Sequence, residues 1–188
     1  MTSRKFERTL CKYFVRSVED PSDMEARSKM LQASSFAGMG FGNAGVHLCH
    51  GLSYSISSLV KQYVSPDYPP DKPLIPHGLS VVVTAPTDFE HIGHTSPHRH
   101  LEAAQLLGHD VTNVRENDAG SVLADTVRRY MSDLKLPNGL KALGFNAEDI
   151  PSLVKAAMPT MRSGHVYPVN MDVEDIVASI YEKSLNAY

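Results

Sequence analysis

The chain has no tryptophan, and in 188 residues it has only two cysteines, Cys11 and Cys49. Two cysteines cannot build the disulfide framework of a small secreted domain, and a reducing compartment fits them. A dominant sign of charge is missing too. The net charge is -3, which argues against the strongly basic surface a nucleic-acid partner requires. No stretch reads as a secretory signal, and no internal repeat is visible. The most informative absence is local: from Met30 to Leu59 there is no Asp, Glu, Lys or Arg, although Lys29 and Lys61 stand at its edges.

An uncharged run of that length predicts burial. Lipid is a poor host, because Gln32, Asn43, His47, His50 and the serines would each need a partner there. The run is therefore expected to form two short helices at the centre of a core. Gly38, Gly40, Gly42 and Gly45 allow close backbone approach and interrupt the helical pattern. The first helix is expected to start at the capping box Ser22-Asp23-Met24-Glu25 and to end near the glycines. The second is expected to be capped by Asn43 and to run towards Val60.

On either side the pattern is mostly helical. Residues Met1 to Asp20 mix Arg4, Lys5, Arg8, Lys12 and Arg16 with Phe6, Leu10, Phe14 and Val18. That describes either a mitochondrial targeting helix or a surface helix, and Glu7 and Glu19 favour the second. Prolines 66, 69, 70, 73 and 76 mark a surface excursion without regular structure. Leu79 to Ala85 has strand-like propensity, but no second strand pattern exists to pair with it, so it reads as a buried helix.

Further helices are expected over Pro97 to Leu107, Asp118 to Leu134, a short segment capped by Asn146, and Asp172 to Leu185 with Val173, Ile176, Val177, Ile180 and Tyr181 inward. Ser163 to Pro168 reads as a loop. The fold class is all-α.

Four histidines, His91, His94, His98 and His100, crowd ten residues and invite a metal reading. His98 and His100 lie two apart on a helix that Pro97 starts, so they point to different sides. No carboxylate or thiolate stands at ligand spacing, and a solvated surface is the better reading of this cluster.

The run Phe41-Gly42-Asn43-Ala44-Gly45-Val46-His47-Leu48-Cys49-His50-Gly51, followed by Pro76-His77-Gly78, resembles the iron-containing alcohol dehydrogenases of the group III type. The resemblance extends from about Phe6 to Tyr188. It implies the helical C-terminal domain of a dehydroquinate-synthase-like fold, with residues 1–188 as a single metal-binding domain. It also implies that His50 and His77 are two of four ligands to Fe2+ or Zn2+. Such a metal, held by neutral imidazoles and a carboxylate, acts as a Lewis acid on a carbinol or carbonyl oxygen.

Three details point to a mitochondrial branch of that family that moves hydride between a hydroxyacid and an oxoacid. His47 stands where the wider family usually has glycine, Tyr54 stands where most members have a further histidine, and the proline-rich excursion lengthens the gap between His50 and His77. The resemblance implies oxidation of 4-hydroxybutyrate to succinate semialdehyde with reduction of 2-oxoglutarate to D-2-hydroxyglutarate. Tyr54 takes the catalytic position in that comparison, orienting substrate or water. His47 matches no family ligand and is read as packing or support. Cys49 reads as a free buried cysteine without a reactive role.

The family's other two ligands, an aspartate and a histidine, and its NAD(H)-binding domain are expected upstream. No GxGxxG turn follows a strand here. The chain is accordingly expected to be a C-terminal portion, inactive alone. Small hydroxyacid and oxoacid substrates are the expected partners, without nucleic acid or membrane, and a homo-oligomer is compatible with the sequence. The alternatives are a non-catalytic helical module or a different iron-type alcohol dehydrogenase.

Overall fold

The computed structural model describes residues 12–66, 68–161 and 173–188. Residues 1–11 of the basic N-terminal stretch and the expected loop from Ser163 to Pro168 lie outside them. Helix α1 is described over residues 12–19, and α2 spans Met24–Ala44, α3 Leu48–Ser58, α4 His77–Val82, α5 Ala85–Ile92 and α6 Pro97–Leu106. Then follow α7 (Ala119–Asp133), α8 (Gly139–Ala142), α9 (Ile150–Met161) and α10 (Val173–Lys183). Among the described residues there is no strand, only an isolated bridge between Val64 and Leu74 inside the proline-rich excursion. The all-α expectation holds, and Leu79 to Val82 is helix.

The core is organised around α3. Leu48, Leu52 and Ile56 occupy one face at helical spacing and pack with Leu153 and Ala157 of α9, Val177, Ile180 and Tyr181 of α10, and Val83, Met131, Leu140 and Leu143. Burying each of these larger side chains contributes roughly 1.5–3 kcal/mol. Several polar groups drawn into this core bond one another. Tyr181 donates its hydroxyl hydrogen towards the Leu52 carbonyl at 3.2 Å, and its oxygen lies 2.6 Å from Ser55 Oγ. Thr160 Oγ1 ties α9 to the Gly51 carbonyl at 3.1 Å.

Helix α5 crosses α7 with almost no separation. A Cβ on Gly93, just past α5, would stand 2.4 Å from the Gly120 Cα. Only glycine fits at such a crossing. A second glycine requirement falls at Gly139, which has φ +72° and lies against the Ser184 and Leu185 carbonyls.

The uncharged stretch behaves differently in its two halves. The second half, as α3, is the core element expected of it. The first half corrects the expectation: α2 buries only Ala26 and Ala33, while Leu31, Met39 and Phe41 are 72%, 53% and 53% exposed. The glycines at 38, 40 and 42 do not break this helix and touch nothing within 4 Å of a would-be Cβ. The break comes at Gly45, whose positive φ of 81° is a conformation glycine tolerates and whose N–H bonds the Phe41 carbonyl.

Both expected caps shift. Asp23 caps α2 by accepting from the Ala26 N–H at 2.9 Å, because Ser22 is engaged with Asp20. Asn43 bonds back to the Met39 carbonyl within the helix, and α3 starts only at Leu48. In α10, Val173 is exposed, whereas Val177, Ile180 and Tyr181 face inward.

Residues 12–19 fit the surface-helix reading. Phe14 meets the Tyr130 ring at 6.0 Å, and Arg16 pairs with Asp23 and Glu25 beside the start of α2. None of the described helices is long and apolar enough to cross a membrane.

Candidate metal centre

His50 sits in the first turn of α3 and His77 is the first residue of α4. The proline-rich excursion between them returns the chain so that α4 packs along α3. Ser57 Oγ donates to Ser80 Oγ at 3.1 Å, and Ser80 Oγ donates to the His77 carbonyl at 2.8 Å. This chain of hydroxyls fixes the start of α4 against α3. As a result the His50 and His77 rings lie 5.6 Å apart between centroids, inclined at 58°. Tyr54, one turn after His50 on the same face of α3, stacks on His77 at 6.4 Å and 26°.

The three residues named from the sequence thus converge on one patch. His77 is exposed, Tyr54 is 53% exposed and His50 is partly buried, so the patch opens outward. Burial, with His77 and His47 as cationic neighbours when protonated, holds the His50 imidazole below its ordinary pKa. A depressed value keeps the lone pair available near neutral pH, as a metal-binding imidazole needs. The donor set suits a divalent ion such as iron or zinc, and two imidazoles supply only half of a four-ligand shell.

His47 was read as packing or support, three residues from His50. It does not share the helical face, because it precedes α3 with an extended backbone (ψ 177°). Its Nδ1 lies 2.6 Å from Oδ2 of Asp88, a fully buried carboxylate on α5. Sequence reasoning missed Asp88. The only signal was an acidic residue inside the apolar run from Ala85 to Phe89. Cys49 Sγ, buried and free, lies 3.9 Å from His50 Nδ1, and burial followed by the Asp88 charge pushes its pKa up to about 12.

The four-histidine cluster forms no common centre. His94 and His98 are solvent-exposed as expected, but His100 is buried. Its Nδ1 lies 3.0 Å from the Ser96 carbonyl, and the ring meets the Phe89 ring edge-on. His100 serves packing at the α6 start, which corrects the solvated reading at that position.

The description "Fe-containing alcohol dehydrogenase family, C-terminal" matches residues 1–185. The mitochondrial hydroxyacid-oxoacid transhydrogenase of Homo sapiens is 51% identical over 181 residues, covering 96% of this chain and 38% of that protein. The enzyme of the same name from Caenorhabditis briggsae is 54% identical over 187 residues, covering 99% and 40%. The chain therefore spans about two fifths of the length of the curated relatives it matches.

Among solved structures, an archaeal halo-thermophilic alcohol dehydrogenase from a Red Sea brine pool aligns with a TM-score of 0.81 at 26% identity, over 97% of this chain and 43% of that one. A 1,3-propanediol oxidoreductase gives 0.81 at 23% identity, over 97% and 44%, and shows the fold.

Proposed function

Because the chain belongs to the Fe-containing alcohol dehydrogenase family, we propose that it is the metal-bearing helical part of a mitochondrial hydroxyacid-oxoacid transhydrogenase. The reaction would oxidise 4-hydroxybutyrate to succinate semialdehyde and reduce 2-oxoglutarate to D-2-hydroxyglutarate. The observation that carries the reading is the convergence of His50 and His77 at 5.6 Å on an outward-facing patch. Identities of 51% and 54% to transhydrogenases over nearly the whole chain support the choice within the family and the mitochondrial location.

The chemistry a bound divalent metal would supply is Lewis acidity towards a carbinol or carbonyl oxygen, and a nicotinamide would supply hydride carriage. His50 and His77 would hold the metal. Two further ligands and the nucleotide pocket would come from an upstream part like that of the relatives.

The roles of this chain's own residues follow from their placement. His50, neutral at physiological pH, donates a nitrogen lone pair. His77, fixed by the Ser57–Ser80 hydroxyl chain, sets the second direction of approach. Tyr54, stacked on the His77 ring, would hydrogen-bond the substrate oxygen or a water through its hydroxyl. The exposed face of α2 over Met30 to Ala44 would pack against the nucleotide-binding part, which accounts for a charge-free surface on a helix that buries little.

The test compares D-2-hydroxyglutarate formation by this chain and by a longer form in which the upstream part of a relative precedes it. Turnover only in the longer form, lost with His77→Ala, supports the reading. Turnover in the short chain, or a fully active His77→Ala, overturns it. Absence of turnover in both, with both folded, favours the non-catalytic helical module.

A further inference from the structure

We propose that His47, Cys49 and Asp88 form a second divalent-metal site, beside the His50–His77 pair and sharing none of its ligands. One ligand atom from each of the three residues lies within 4.8 Å of the other two. The set combines an imidazole from the α2–α3 junction, a thiol from α3 and a carboxylate from α5 that lies 41 residues from His47 in sequence. Zinc takes such ligands at about 2.3 Å from sulfur and about 2.0–2.2 Å from nitrogen or oxygen. Closing on an ion therefore exchanges the 2.6 Å hydrogen bond between His47 and Asp88 for bonds to the metal and draws the sulfur towards them.

A second observation points to a ligand. Asp88 is fully buried, and while its Oδ2 meets His47, its Oδ1 has no hydrogen-bond partner. A buried carboxylate oxygen left without a donor is costly in a folded protein. An ion beside Asp88 gives that oxygen a partner and offsets the carboxylate charge, which one imidazole at its other oxygen only partly does.

The Cys49 sulfur loses its proton to solvent as the sulfur–metal bond forms. The neutral His47 ring carries its one hydrogen on Nε2, which leaves the Nδ1 lone pair for the ion, and Asp88 offers a carboxylate oxygen. A coordinating thiol deprotonates on a divalent ion, so the buried thiol's reluctance to ionise does not prevent binding. The sulfur ligand selects zinc, cobalt or another borderline-soft ion over magnesium and calcium. Three protein ligands leave one position for water. Occupancy would lock the Gly45–His47 junction to α5 and so fix the start of the helix that carries His50.

Cobalt(II) titration of the 188-residue chain tests the site, because thiolate ligation gives an intense near-ultraviolet charge-transfer band. The band is expected at one equivalent of cobalt, retained in Cys11→Ser and in the double variant His50→Ala/His77→Ala, and lost in Cys49→Ser. His47→Gln and the near-isosteric Asp88→Asn should each weaken cobalt binding at least tenfold. They keep the test valid if Cys49→Ser fails to fold by circular dichroism. A wild-type chain without the band overturns the proposal. So does a band that disappears with the His50/His77 pair but survives His47→Gln and Asp88→Asn. Because the double variant removes the His50–His77 pair, this outcome is independent of the reading proposed for that pair.

Discussion

His50 and His77 come within 5.6 Å of each other across an excursion that carries five prolines. What brings them together is a serine hydroxyl chain and the packing of α4 on α3, neither of which depends on the histidines. Site and fold are therefore separable here. In the longer form, His77→Ala should lower turnover by at least about 100-fold, as expected for loss of a ligand to a catalytic metal. The melting temperature of the short chain should be unchanged, because His77 is exposed. A fall in melting temperature equal to that of a core substitution would show that the pair is structural.

The core makes the opposite prediction. Leu52 is fully buried at the centre of α3, facing α9 and α10. Leu52→Ala should destabilise the chain by about 2–5 kcal/mol through lost burial and a cavity. Denaturant titration followed by circular dichroism measures this. A change under about 1 kcal/mol would mean that α3 is not the organising element.

Much of this was legible in the sequence, and the failures are instructive. Period-3.6 patterns located α6, α7, α9 and α10 because each buries one stripe, α9 and α10 in the core around α3 and α6 against α7. The approach of His50 and His77 was foreseeable because the short sequence contexts around them resemble those of one family. Asp88 was not, since its partner His47 lies 41 residues away and nothing local marks the pairing. The misreading of Met30 to Ala44 has a different cause. Lack of charge is compatible both with a place in this core and with a surface open to another partner, and the sequence pattern alone does not separate the two. Among the described residues, Ala26 and Ala33 are the ones α2 buries.

Tyr181 gives a pH prediction with a definite sign. Burial raises its pKa above the ordinary value of 10.0, and the Ser55 hydrogen bond only partly opposes this. The unfolded chain therefore loses this proton more readily than the folded one. The contribution to stability is fully present below about pH 10 and is lost as pH rises through the raised folded value. Ultraviolet titration should show one tyrosine ionising only together with alkaline unfolding. In Tyr181→Phe that coupling should vanish, at a cost in stability of about 1 kcal/mol near neutral pH.

Glycines on two helices should respond oppositely to the same change. At Gly120 an added Cβ meets the Phe89 carbonyl oxygen at 2.8 Å and the Gly93 Cα at 3.1 Å. Gly120→Ala should thus cost about 1–3 kcal/mol as α5 is forced off α7. At Gly40 the added methyl meets nothing within 4 Å and the backbone is ordinary helix. Gly40→Ala should stabilise the 188-residue chain by about 0.5–1 kcal/mol. If the α2 face packs against the upstream part, the same substitution should lower activity of the longer form while raising the stability of the short one. Melting temperatures of the short pair and transhydrogenase rates of the long pair measure both arms. Full activity in the longer Gly40→Ala form would leave the open glycines of α2 without a role in that packing.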